Sequence, residues 1–182
     1  MNQSQKIFGE PADRPKNKVK DHMVPWVQEF IKQSPFMVMA SSNEAGQCDA
    51  SPKGGKPGFV KVLDDKHLII PDVAGNKLFQ TYENFESNPY VGLVFFIPAI
   101  NATTRVNGKV QVIRKGEEAF DDLVLSVFNP DEKAKLLQAV VVEVQESYSH
   151  CPRALGFSRL WDTKIISDNE ENPPIDKWVP GT

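Results

Sequence analysis

The apolar runs of this chain are short, and each ends at a turn signal. Residues 36–40, 47–51, 58–63, 67–70, 90–97, 103–113 and 139–145 read as strand-like segments, and Asn43-Glu44-Ala45-Gly46, Asp64-Asp65-Lys66 and Asn88-Pro89 stand between or beside them. Short runs joined by tight turns select hairpins and an antiparallel sheet. Helical spacing appears in between: Val24, Val27, Phe30 and Ile31 share one face of a helix over 24–34, and Leu78, Phe79, Tyr82 and Phe85 share one over 76–87. Further helical patterns cover 117–127, 131–138 and part of 150–161. Six or more antiparallel strands with short helices outside them predict a mainly β, α+β chain folded as a small β-barrel.

The same pattern divides the chain. Residues 1–23 are basic and proline-containing, with little that is apolar, and read as an N-terminal arm; 24–162 form the barrel domain; 163–182 read as an extended tail anchored by Trp178. With 182 residues and 40% hydrophobic composition, the chain has material for one core. A net charge of −3 gives no global electrostatic reason to bind nucleic acid, so any anion site must be local. Cys48 and Cys151 lie far apart and have no metal-ligand spacing to His22, His67 or His150. The longest apolar run, 91–100, is too short to span a bilayer and contains Gly92 and Pro98. The expectation is a soluble, cytoplasmic protein with no nucleic-acid or membrane partner.

Chemistry concentrates in two stretches. Ser51-Pro52-Lys53-Gly54-Gly55-Lys56-Pro57-Gly58 reads as a loop whose glycines let backbone approach a ligand and whose lysines favour an anion. It also reads as an ordinary solvated surface loop, which is the commoner fate of such a stretch. The second is Pro71-Asp72-Val73-Ala74-Gly75-Asn76-Lys77, where a strand ends and a helix is expected to begin. A helix start there presents free N–H groups to a second anion site, although Asn76 can also serve simply as a cap.

The ordered set of residues 36–40, Asp49-Ala50-Ser51-Pro52-Lys53-Gly54, Pro57-Gly58-Phe59, Ile70-Pro71, Gly75-Asn76-Lys77, Asn88-Pro89, Val91-Gly92-Leu93, Phe95-Phe96-Ile97-Pro98 and Thr104-Arg105-Val106-Asn107-Gly108 resembles the pyridoxamine 5′-phosphate oxidase-related flavoproteins. Cys151-Pro152-Arg153-Ala154 and Ser158-Arg159-Leu160-Trp161 resemble one uncharacterised branch of them. The resemblance implies a split β-barrel homodimer with FMN between the subunits. It implies that Ala50, Ser51, Pro52, Lys53 and Gly54 follow the isoalloxazine edge, and that Asn76 and Lys77 hold the phosphate from a helix start. It also implies that Arg105 reaches the phosphate or ribityl chain. Ser158, Arg159 and Trp161 would complete the site from the second subunit.

The sequence departs from the oxidase proper at Arg159-Leu160-Trp161-Asp162-Thr163, which offers one arginine and no histidine for a substrate phosphate. No Ser/His/Asp set or paired carboxylates supply independent acid/base machinery. An FMN-dependent oxidoreductase taking hydride from NADH or NADPH is the first reading, because the flavin carries the redox chemistry itself. A flavin carrier or sensor without turnover is the alternative. Related families exchange FMN for a deazaflavin or haem. A cofactor-free barrel binding nucleic acid or protein is disfavoured by the acidic balance.

Overall fold

The computed structural model describes residues 2–73, 75, 77–126 and 136–175. Two short helices, α1 (Gln3–Phe8) and α2 (Asp13–Asn17), precede α3 (Pro25–Gln33), β1 (Phe36–Ser42), β2 (Cys48–Gly54), β3 (Lys61–Val62) and β4 (His67–Val73). Then follow α4 (Gln80–Ser87), β5 (Tyr90–Phe96), β6 (Thr103–Arg114), α5 (Glu118–Ser126), β7 (Leu136–His150), α6 (Arg153–Ser158) and α7 (Thr163–Glu171). The strands form one antiparallel sheet in the order β2-β1-β5-β6-β7-β4-β3, curled as a split β-barrel.

β6 and β7 form the spine. The first half of β6 pairs with β5 on one side and the end of β7 on the other, while the first half of β7 pairs with β4. Asn107 faces Glu146 but Gly108 faces Val144, so Gln145 is an extra residue that bends the ribbon. Gly108 is required at this bend. A Cβ there would collide with the Glu143 carbonyl oxygen and sit 2.9 Å from Val142.

Alternation sorts β5 and β6 into two faces. Val91, Leu93, Phe95, Val106 and Val110 point into the core with Met37, Met39, Leu68, Ile70, Val140 and Val142. The mouth of the curl is filled by α3, whose Val27, Phe30 and Ile31 are buried at the expected helical spacing. Each such side chain contributes about 1.5–3 kcal/mol by leaving water. The N-terminal arm is pinned where Lys20 and Ser147 exchange backbone hydrogen bonds of 3.0 and 2.7 Å, and Met23 is fully buried.

Four expectations need correction. Residues 51–54 belong to β2 rather than to a loop, because β2 is an edge strand: its ladder with β1 runs through Pro52↔Val38, and an edge tolerates a proline whose missing N–H faces outward. The helix expected from 76 begins at Gln80, since Lys77 (φ 63°) and Phe79 (φ 51°) are left-handed and cannot lie in a right-handed helix. Residues 136–138, expected as the end of a helix, begin β7, where they pair with β4 and β6 and override a weak local pattern. The rest of that expected helix lies outside the described residues. The tail is not extended over 163–171: Asp162 accepts hydrogen bonds from the N–H groups of Lys164 and Ile165 and starts α7. Trp178 lies outside the described residues.

The bend at Gly108 makes a direct prediction. Gly108→Ala should destabilise the fold by about 1–3 kcal/mol, the range for overpacking, read as a lower urea midpoint. An unchanged midpoint would mean that the ribbon relaxes freely at the bulge.

Candidate functional site

Three elements frame a cleft of about 290 Å³: edge strand β2, the end of β4, and the approach to α4. Because β2 alternates, Asp49, Ser51 and Lys53 are half-buried, whereas Ala50, Pro52 and Gly54 are exposed on the opposite face. The cleft is lined by residues 49–53, Asp72, Val73, Gly75 and the stretch 77–82.

β2 is not hydrogen-bonded to β4; side chains bridge the gap instead. Lys53 Nζ stands 3.7 Å from Asp72 Oδ1, with the two side chains only 23% and 11% exposed. Gln138 Nε2 donates to Asp72 Oδ2 at 2.9 Å, and Thr81 Oγ1 donates to Asp49 Oδ2 at 2.7 Å. Lys53 Nζ also lies 5.8 Å from the centre of the Tyr82 ring. Both carboxylates are therefore already engaged. Burial first, and the Asp72 charge second, push the Tyr82 phenol well above the usual tyrosine range.

Lys77 is different. It is exposed and forms no ion pair among the described residues. The left-handed residues Lys77 and Phe79 each cost on the order of 1–3 kcal/mol, and such strain persists where surrounding structure or function holds it. They lead into α4, whose N-terminus has no side-chain cap. Gln80 and Thr81 line the cleft there, so the first N–H groups and the positive dipole end border it.

The structure thus brings Ala50, Ser51, Pro52, Lys53 and Lys77 together, while Gly54 does not line the cleft. Asn76 lies outside the described residues. Arg105 is not in the cleft: it projects from β6, where its Nη1 lies 3.5 Å from the Tyr148 hydroxyl. Ser158, Arg159 and Trp161 do not line the cleft either. Ser158 donates to the Leu155 carbonyl, Arg159 Nη2 donates to Asp162 at 2.6 Å, and Trp161 Nε1 is buried without an acceptor among the described residues. Sequence reasoning missed Asp49, Asp72, Thr81 and Tyr82. Strand alternation through Lys53 could have found Asp49, but Asp72 and Tyr82 meet it only through the curl of the sheet.

The pyridoxamine 5′-phosphate oxidase family model matches residues 23–151. Among solved structures, one described as a candidate pyridoxamine 5′-phosphate oxidase from Lactobacillus delbrueckii is 19% identical, with a TM-score of 0.55 over 71% of this chain and 95% of that one. Group A Streptococcus HupZ is 16% identical, with a TM-score of 0.50 over 70% of this chain and 93% of that one. At these identities the likeness is one of fold. No curated protein matches the sequence. No helix among the described residues is long and apolar enough to cross a membrane.

Tyr82 links the cleft to stability. Its folded pKa lies above the unfolded value of about 10, so its contribution is complete below pH ~10 and is lost as pH rises further, when only the unfolded chain ionises. Urea midpoints measured from pH 9 to 11.5 should fall more steeply for the parent than for Tyr82→Phe. Identical slopes would place the phenol in water rather than beside Asp72.

Proposed function

Because the chain belongs to the pyridoxamine 5′-phosphate oxidase family, we propose that it is a homodimeric FMN-dependent oxidoreductase whose cofactor phosphate lies in the cleft between β2 and α4. The observation that carries this reading is the meeting of Lys53, Lys77 and the uncapped start of α4 in one cleft. An anion there gains the lysine charges and the free helix N–H groups together. The edge of β2 adds backbone groups not used by the β1 ladder, which suit the polar rim of a planar ring. The residues present therefore fit FMN.

Bound FMN supplies the hydride and electron chemistry. The chain positions and screens. Asp72 holds Lys53 at the wall of the cleft, Gln138 fixes Asp72, and Thr81 fixes Asp49, so the cationic group is oriented before any ligand arrives. NADH or NADPH is the proposed reductant. The absence from the sequence of a histidine beside Arg159 supports a substrate other than pyridoxamine phosphate.

A second copy of the chain is proposed on the outer face of β1 and β5. Cross-strand register puts Phe36 beside Phe96 and Val38 beside Val94. Phe36 is 41% exposed and its ring centre lies 6.0 Å from that of Phe96. Phe157 and Leu160 are exposed, and the buried indole N–H of Trp161 finds no acceptor among the described residues. Ser158, Arg159 and Trp161 then complete the partner's cofactor site.

Two outcomes test this reading. Lys53→Ala with Lys77→Ala should weaken FMN binding to the apoprotein by about 100-fold or more, since each charge-assisted contact contributes roughly 1.5–3 kcal/mol. Quenching of flavin fluorescence measures it, and unchanged affinity in a folded variant removes the phosphate from this cleft. Co-refolding that variant with Arg159→Ala, Trp161→Ala chains should restore one intact site per heterodimer. If no binding returns above either parent variant, the tail does not act in trans.

A further inference from the structure

The cleft carries its own anions. Among the described residues its charged lining is Lys53 and Lys77 against Asp49 and Asp72, so the fixed charges cancel. A site shaped only for affinity toward a phosphate has no use for two carboxylates, because like charge in a partly desolvated cleft opposes the ligand.

Each carboxylate stands at a feature that an anion would seek. Thr81, the second residue of α4, donates its hydroxyl to Asp49 Oδ2 at 2.7 Å, which sets Asp49 beside the uncapped, positive end of the helix. Asp72 Oδ1 stands 3.7 Å from Lys53 Nζ. That is close enough for an ion pair but too long for a hydrogen bond, so Lys53 can change partner without breaking one. Asp72 cannot follow it. The residue is buried, and Gln138, its cross-strand neighbour, donates to Oδ2 at 2.9 Å. The Tyr82 phenol borders the same carboxylate. The lysine is therefore the movable member of the pair, whereas Lys77 has no such counterion among the described residues.

We propose that Asp49 and Asp72 are internal counterions that set the affinity of the cleft for phosphate: they stand at the helix end and at Lys53 in place of a ligand, and an entering phosphate must take Lys53 from Asp72 against the repulsion of both. This inference rests on the placement of the cofactor phosphate in this cleft. Asp72 then has two opposed effects, since it orients Lys53 and also competes for it. Orientation saves the rotamer freedom of one side chain. Competition acts through a partly desolvated medium on every charge of the ligand, and it outweighs the orientation.

The sign of two substitutions tests it. Asp72→Asn and Asp49→Asn remove a charge while keeping the shape and an acceptor oxygen for Gln138 and Thr81 respectively. In the full-length apoprotein, FMN and riboflavin binding are read by flavin fluorescence, and inorganic phosphate binding by titration calorimetry at matched ionic strength. Each variant should bind FMN and inorganic phosphate about fivefold or more tighter than the parent, with riboflavin affinity unchanged. Asp72→Asn should also restore part of the phosphate affinity that Lys53→Ala loses. Glu118→Gln, which makes the same change of net charge at an exposed position on α5, should alter none of these. Weaker or unchanged phosphate binding in either aspartate variant overturns the proposal, because the carboxylates then only orient their partners. An equal gain for riboflavin overturns it too, since the effect would not act on the phosphate. The flavin reading fails separately: inorganic phosphate that binds and tightens as described, in a protein that takes up no FMN, leaves this inference standing and removes that one.

Discussion

The pairing of β6 with β7 is the constraint on which the rest of the molecule depends. These are the strands that join the two halves of the sheet, β2-β1-β5 on one side and β4-β3 on the other. The extra residue at Gln145 bends the ribbon, and Gly108 permits the close approach that the bend requires. The curl brings edge strand β2 near the end of β4 without letting the two share a hydrogen-bonded ladder. A gap bridged by side chains is the result, and the cleft is that gap.

Holding such a gap open has an electrostatic consequence. Lys53 and Asp72 face each other across it while partly withdrawn from water, so the desolvation of each ion offsets much of their attraction. A pair of this kind is weak evidence for stability and better evidence for orientation. Gln138 and Tyr82 complete the surroundings of Asp72, and Lys77, strained and free of acidic partners among the described residues, is left as the uncommitted charge at the rim. The division of labour is physical: one lysine is fixed by a carboxylate and the other is available.

The strand pattern, the antiparallel class and the amphipathic α3 were legible because alternation and helical spacing are local properties. What failed was also local in origin. Glycine and proline at 52–58 signal a loop, yet an edge strand can absorb Pro52 when its ladder to β1 needs no proton from it. The helix start at 76 looked sound by composition, but left-handed Lys77 and Phe79 postpone it to Gln80. Lys53 and Lys77 were recoverable as cationic groups flanking glycines. Asp72, the partner of Lys53, was not, because its approach depends on the bend in a ribbon far away in sequence.

The central claim is that the cleft between β2 and α4 exists to hold FMN, and the most direct check is to ask what the protein carries. Mild denaturation of the protein as purified, followed by the visible spectrum and mass of whatever is released, should yield FMN at about one per chain. Release of a deazaflavin or haem, or of no chromophore from a protein that also fails to take up added FMN, would contradict the account.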